Sequence, residues 1–235
     1  MVKHELIKRS PLRILEQSTH GGLGKGNIGV IASRKGVGKT ACLVNIATDH
    51  LFQGKHVIHA SFTENTSHII AWYEDIFNEL NSRYHLDNTP VIHDDWVKNR
   101  IIMNFNFDTF DIKEIENRIR TLNETCNFYA DILVIDGYAF DKTSLEDLRE
   151  FHKFAKELNI EIWFSASIPD EEGYFDGSSV PAILQPFINE IAIIICLQPM
   201  DHVIHLNLVK DHYEEMTGDP HLKLDPKILL IAEEV

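Results

Sequence analysis

The segment Ser33-Arg34-Lys35-Gly36-Val37-Gly38-Lys39-Thr40 is where residue types and spacing most directly imply chemistry. It follows the apolar run Asn27 to Ala32 and opens a helical pattern that runs from Thr40 to Gln53. Glycines there let the backbone curl so that its N–H groups converge on an anion, and the helix N-terminus adds its positive end. The binding set is Ser33, Arg34, Lys35, Gly36, Val37, Gly38, Lys39, Thr40 and Ala41. Lys39 is expected to reach the β- and γ-phosphates of a nucleotide, and Thr40 to offer its hydroxyl to Mg²⁺. Ser33 stands where the motif usually has Gly or Ala, a mild departure because Ser is small.

A second chemical feature is Asp131-Ile132-Leu133-Val134-Ile135-Asp136. A buried strand that ends in a carboxylate can hold the water shell of Mg²⁺ opposite Thr40, and Asp136 occupies that place. Strands also end in Asp at ordinary turns, and Asp136-Gly137 satisfies that description too.

These residues need elements to position them. Strand patterns cover 27–32, 56–62, 101–105, 131–136, 161–166 and 190–197, with the near-continuous Val and Ile content of strands buried on both faces. Helical patterns alternate with them: Thr40 to Gln53, stopped by Gly54; Ile69, Trp72 or Tyr73, Ile76 and Leu80; and Ile112, Ile115, Ile119 and Leu122, opened by Asp111 with Glu114 as a capping box. A fourth helix starts at Ser144 and aligns Leu145, Leu148, Phe151, Ala155 and Leu158. Runs at 202–209, 221–224 and 228–231, separated by turn residues, read as an antiparallel tail. Segments 81–100 and 168–186 fit no element and read as surface excursions. The expected fold is α/β, one domain over 1–235 with an N-terminal arm at 1–20, and a mostly parallel sheet flanked by helices.

The 235 residues carry 22 Lys and Arg against 36 Asp and Glu, a net charge of -14, whereas chains that live on phosphate backbones usually show a basic face. Nucleic acid is therefore disfavoured as a partner. Cys42, Cys126 and Cys196 are widely spaced and odd in number, which reads as buried thiols in a reducing compartment. The longest apolar run, Ile191 to Leu197, is far below the roughly 20 residues of a membrane helix, and no signal peptide is visible. A cytoplasmic protein without a membrane partner is expected. His56 with His59, and His202 with His205, are spaced so that neither pair shares a strand face, and no Cys or carboxylate completes a metal site. Trp72, Trp96 and Trp163 read as core. Lys3, Lys8, Arg9 and Arg13, mixed with Leu6, Ile7, Leu12 and Ile14, read either as a packing arm for a neighbouring subunit or as a frayed terminus.

The stretch Leu15 to Ala47, with Gly21-Gly22-Leu23 before Gly26 and then the phosphate loop, resembles the opening of the RecA-type ATPases, most closely the DnaB helicase and KaiC branch. The resemblance continues through Ser61-Phe62-Thr63-Glu64, through the strand ending at Asp136, and through Lys210 to Leu224, where a Lys followed by Thr217-Gly218 and Leu-Lys-Leu is similar to that branch's C-terminal hairpin. It implies a RecA-like P-loop core and binding of ATP and ADP with Mg²⁺. It also implies assembly into a homo-oligomer and a catalytic Glu64 that polarises the attacking water, although an acid at a helix N-terminus would account for Glu64 as well.

Two departures matter. Relatives commonly carry Gln after Ser on the fourth strand to sense the γ-phosphate, and here the strand reads Phe164-Ser165-Ala166-Ser167. They commonly carry a Lys-x-Arg pair reaching a neighbour's nucleotide, and here it reads Lys210-Asp211-His212. Lys210 keeps a catalytic role by this resemblance while the arginine is lost, which implies slow hydrolysis. The loops that face DNA in helicases and recombinases correspond to 137–142 and 169–176, the second with four carboxylates and no cation. The expectation is a nucleotide-regulated oligomer acting through a protein partner. A DNA-acting helicase or recombinase core, and a non-hydrolysing scaffold, are the alternatives.

Overall fold

The computed structural model describes residues 3–62, 66–106, 111–170, 178–212, 220–228 and 230–233. Along the chain these form α1 (Lys3–Lys8), α2 (Leu12–Ser18), β1 (Ile28–Ser33), α3 (Lys39–Phe52), β2 (Val57–Ser61), α4 (Thr66–Tyr84), α5 (Thr89–Lys98) and β3 (Arg100–Asn104). They continue with α6 (Ile112–Cys126), β4 (Ile132–Tyr138), α7 (Leu145–Leu158), β5 (Glu161–Ser167), β6 (Ile193–Met200), β7 (Val203–Asp211), β8 (Leu222–Leu224) and β9 (Ile231–Glu233). The strands make one sheet in the order β3-β2-β4-β5-β1-β6-β7-β8-β9. It is parallel from β3 to β6 and antiparallel from there to β9. The expected mostly parallel core with an antiparallel C-terminal extension is what the chain builds.

The sheet divides the apolar side chains into two layers. One packs the arm, α3, α4 and α5 against Ile31, Val57, Val134 and Ile195. The other packs α6 and α7 against Val30, Ile58, Leu133, Ile135 and Phe164. β1 is buried at every position, as a central parallel strand must be. It is also tightly spaced: a Cβ on Gly29 would lie 2.6 Å from the Trp163 ring, its register neighbour on β5.

Local signals explain the element ends. α3 stops where Gly54 takes φ +80° and the Lys55 N–H reaches the His50 carbonyl at 3.0 Å. α7 opens with a full capping box between Ser144 and Asp147. At α6, the Asp111 carboxylate accepts from the Lys113 N–H, and no reciprocal bond from Glu114 completes the expected box. Segment 81–100 is not an excursion, because α5 lies in it, Pro90 in its first turn and Trp96 buried. Its helical signal is weak because Trp96 is the only buried residue of the helix, so no apolar stripe exists to be read. β6 begins at Ile193 rather than Glu190, since the Glu190 carboxylate turns to Arg149 and His152.

The arm is neither frayed nor held away from the body. Leu6, Leu12 and Leu15 are buried with α3, and Arg13 pairs with Asp49 on that helix and with Glu16 at 2.5 Å. Cys42 and Cys196 are buried, whereas Cys126 is exposed at the end of α6. Trp96 and Trp163 are buried and Trp72 packs partly buried against the core. His59 is fully buried on β2, hydrogen-bonded to the Tyr73 hydroxyl at 3.1 Å, and burial pushes its pKa down to about 4. No helix among the described residues is long and apolar enough to cross a membrane.

Gly29→Ala forces a methyl into the Trp163 ring, and overpacking of this kind costs about 1–3 kcal/mol. A denaturant titration of the variant should show a lower midpoint with an unchanged slope, and a wild-type midpoint would contradict the close approach.

Candidate functional site

The C-terminal ends of β4, β5 and β1 lie side by side, and each delivers a polar group to the same place. In open α/β sheets this edge is where ligands bind, because loops and helix N-termini leave it together. β1 ends at Ser33 and the chain turns through residues 34–38 into α3. Gly36 takes φ +82° and Gly38, at the helix cap, φ +119°. A side chain at Gly38 is excluded twice over, since its Cβ would also meet Leu224 of β8 at 2.7 Å. The C-terminal strands thus brace the loop from beneath.

The Lys39 amine donates to the carbonyls of Ser33 at 3.1 Å and Arg34 at 2.9 Å, with the Ser33 hydroxyl at 3.5 Å. It is a buried cation closing its own loop. Burial lowers its pKa to about 8, partly offset by Asp136 and reinforced by Lys35. An anionic phosphate within the loop would supply the opposite charge that this amine lacks.

The Thr40 hydroxyl, one residue on, donates to Asp136 Oδ2 at 2.8 Å, and the Ser165 hydroxyl donates to Oδ1 at 2.7 Å. Asp136 is 3% exposed, so its carboxylate is almost wholly supplied by these two hydroxyls. A carboxylate and a hydroxyl at this spacing beside a phosphate loop are hard oxygen donors. That donor set fits Mg²⁺, which takes one or two protein oxygens, nucleotide phosphates and water.

Structure and expectation meet at Ser33 through Ala41 and at Asp136, which are brought together. Arg34 reaches Asp170 beyond β5 at 3.5 Å, Lys35 and Gly36 are exposed, Val37 packs on the core and Ala41 is buried under the loop. Glu64 lies outside the described residues, as do Thr217-Gly218 and 171–177 of the acidic loop. The last described residue before Glu64, Phe62, donates its N–H to the Asp136 carbonyl at 2.9 Å. Lys210 is not brought to this loop. It is level with Ile194 and so with Val30, three residues back from Ser33, and its buried amine donates to the carbonyls of Ile191 and His212. Beside it Asp211 is bonded to both His212, at 2.6 Å, and His20.

Sequence reading noted Ser165 only as part of a strand lacking Gln. Its role depends on strand register, which no local pattern encodes. A larger groove of about 560 Å³ lies between the arm, α3 and α4, away from the phosphate loop. The polar convergence of Lys39, Thr40 and Asp136, rather than volume, marks the candidate site.

No family model and no curated protein matches the sequence. Among solved structures, the chain is similar to the ATPase domain of a DnaB-type helicase, with a TM-score of 0.68 and 15% identity over 93% of this chain and 88% of that one. At that identity the likeness is one of fold, and the fold is a RecA-like P-loop core.

Because Lys39 has a pKa of about 8 in the free protein and gains a phosphate partner on binding, complex formation should take up protons in alkaline solution. The amine is charged in both states below about pH 7, so little uptake occurs there. Near pH 9 it is mostly neutral when free and charged when bound, so about one proton enters. Calorimetry of ADP binding in buffers of different ionisation enthalpy reads this directly, and equal uptake at pH 6.5 and 9 would refute it.

Proposed function

We propose that the protein binds ATP with Mg²⁺ and hydrolyses it slowly, acting as a nucleotide-regulated oligomer that engages a protein partner. The observation that carries this reading is the bond from the Thr40 hydroxyl to Asp136, set one residue beyond a buried Lys39 inside a glycine loop. Lys39 would hold the terminal phosphates, Thr40 and Asp136 the cation with its water. Mg²⁺, when bound, shields the phosphate charge that otherwise repels an attacking water. Glu64 is the proposed base for that water, following β2 on the side of Asp136.

Slow turnover follows from the finger position. A supplied arginine is worth roughly 10³-fold or more in related phosphoryl transfers. His212 replaces it here, and its ring is tied to Asp211 at 2.6 Å. Lys210 could serve only a nucleotide held by another copy of the chain, because its amine is turned away from the strand ends that carry its own loop.

A protein partner is favoured over DNA by charge and by burial. The chain carries a net charge of -14, and counterion release needs cations. In the segment after β4, Tyr138 and Phe140 are 5% and 3% exposed, packed against Phe151, Phe164 and Phe187, so these rings are not offered to bases.

Lys39→Ala should abolish ATP binding, read by equilibrium dialysis. Steady-state phosphate release by the wild type should be slow and unaltered in His212→Ala; fast turnover that collapses in that variant refutes the slow-enzyme reading. Tight binding without any release identifies a scaffold instead. Single-stranded DNA bound tightly at physiological salt overturns the partner assignment in favour of a DNA-acting ATPase.

A further inference from the structure

The ladder between β4 and β5 breaks at one point. Ile135 faces Phe164 and Tyr138 faces Ala166, so Asp136 and Gly137 together stand against the single residue Ser165. This is a bulge, uncommon in parallel pairs, and bulges beside sites re-aim a side chain. Gly137 takes φ +80°, a backbone conformation glycine adopts without strain.

The bulge removes Gly137 from the ladder, and the Ser165 hydroxyl accepts its N–H at 2.8 Å. That bond fixes the direction of the other. A backbone N–H can only donate, so the hydroxyl's proton is committed to Asp136 Oδ1, 2.7 Å away. Ser165 is 2% exposed, and water does not substitute for it readily. With Oδ1 held from β5, Oδ2 is left pointing at Thr40 on α3. The strand order β4-β5-β1 makes this a chain across three neighbouring elements.

We propose that Ser165, working with the Asp136–Gly137 bulge, is the positioning residue for cation binding: it holds one carboxylate oxygen so that the other stays directed at the cation of the nucleotide complex. This rests on the nucleotide-binding reading above. Partners that orient a metal-holding carboxylate typically change metal affinity by 10- to 100-fold when removed.

The test is binding of a fluorescent N-methylanthraniloyl ADP titrated with Mg²⁺, on wild type, Ser165→Ala, Ser165→Cys and Ser165→Thr, with thermal melts of each. Expected is an increase of about tenfold or more in the Mg²⁺ midpoint for Ser165→Ala, with a far smaller change in affinity without metal. Ser165→Cys keeps the packing but donates weakly, and should fall between. Ser165→Thr, which keeps the hydroxyl, should restore the midpoint. Lower melting temperatures with a wild-type Mg²⁺ midpoint in both Ala and Cys variants would overturn the proposal and leave Ser165 a purely structural bond. Wild type that binds no nucleotide, or binds it without regard to Mg²⁺, would instead remove the reading of the site itself and the proposal with it.

Discussion

A carboxylate taken almost entirely out of water must be supplied with hydrogen bonds, and Asp136 is that carboxylate. At 3% exposure its two oxygens are met by Thr40 and Ser165. Each donor imposes a requirement. Thr40 must open a helix directly after the glycine loop, which demands left-handed backbone at Gly36 and Gly38. Ser165 must lie on the strand between β4 and β1, which demands the order in which β5 is inserted there although it forms late in the chain. The close pairing of β1 with β5, tight enough to need glycine at position 29, is what holds those strand ends level.

The same desolvation shapes the cation beside it. Lys39 sits where burial disfavours its charge, and the loop carbonyls and Asp136 compensate only in part. Residual destabilisation of this kind makes a site receptive: an arriving phosphate meets an amine whose charge is poorly solvated, so their interaction is stronger than on an open surface. The backbone N–H groups at the start of α3 act in the same sense. Braced from below by Leu224, the loop has little room to relax away.

Much of this was legible in the sequence because it is local. Glycine spacing, Lys39-Thr40 and an apolar strand ending in Asp136 are written in consecutive residues, and strand runs buried on both faces declare themselves by composition. What was hidden is what depends on register or on thin burial. α5 escaped notice because only Trp96 faces inward. The bulge at Asp136–Gly137 and its answer at Ser165 join residues 28 to 29 positions apart, and only alignment of β4 with β5 reveals them. The arm reads as unattached in sequence, because its anchor, Asp49, lies 36 residues from Arg13.

The two ends of the parallel strands carry opposite kinds of chemistry. One gathers a loop of N–H groups, a buried amine and a carboxylate, suited to phosphate and cation. The other gathers Lys210 and His212 with Asn27, His152 and Glu190 around a pocket of about 220 Å³. From Val30, level with Lys210, to Ser33 is about 10 Å of strand, and the Lys210 amine points away from that end toward the Ile191 carbonyl. A single chain therefore does not join its Lys210 to its own phosphate loop. In the proposed oligomer a second copy would supply the nucleotide that Lys210 reaches, which ties any catalytic role of Lys210 to assembly rather than to the isolated domain.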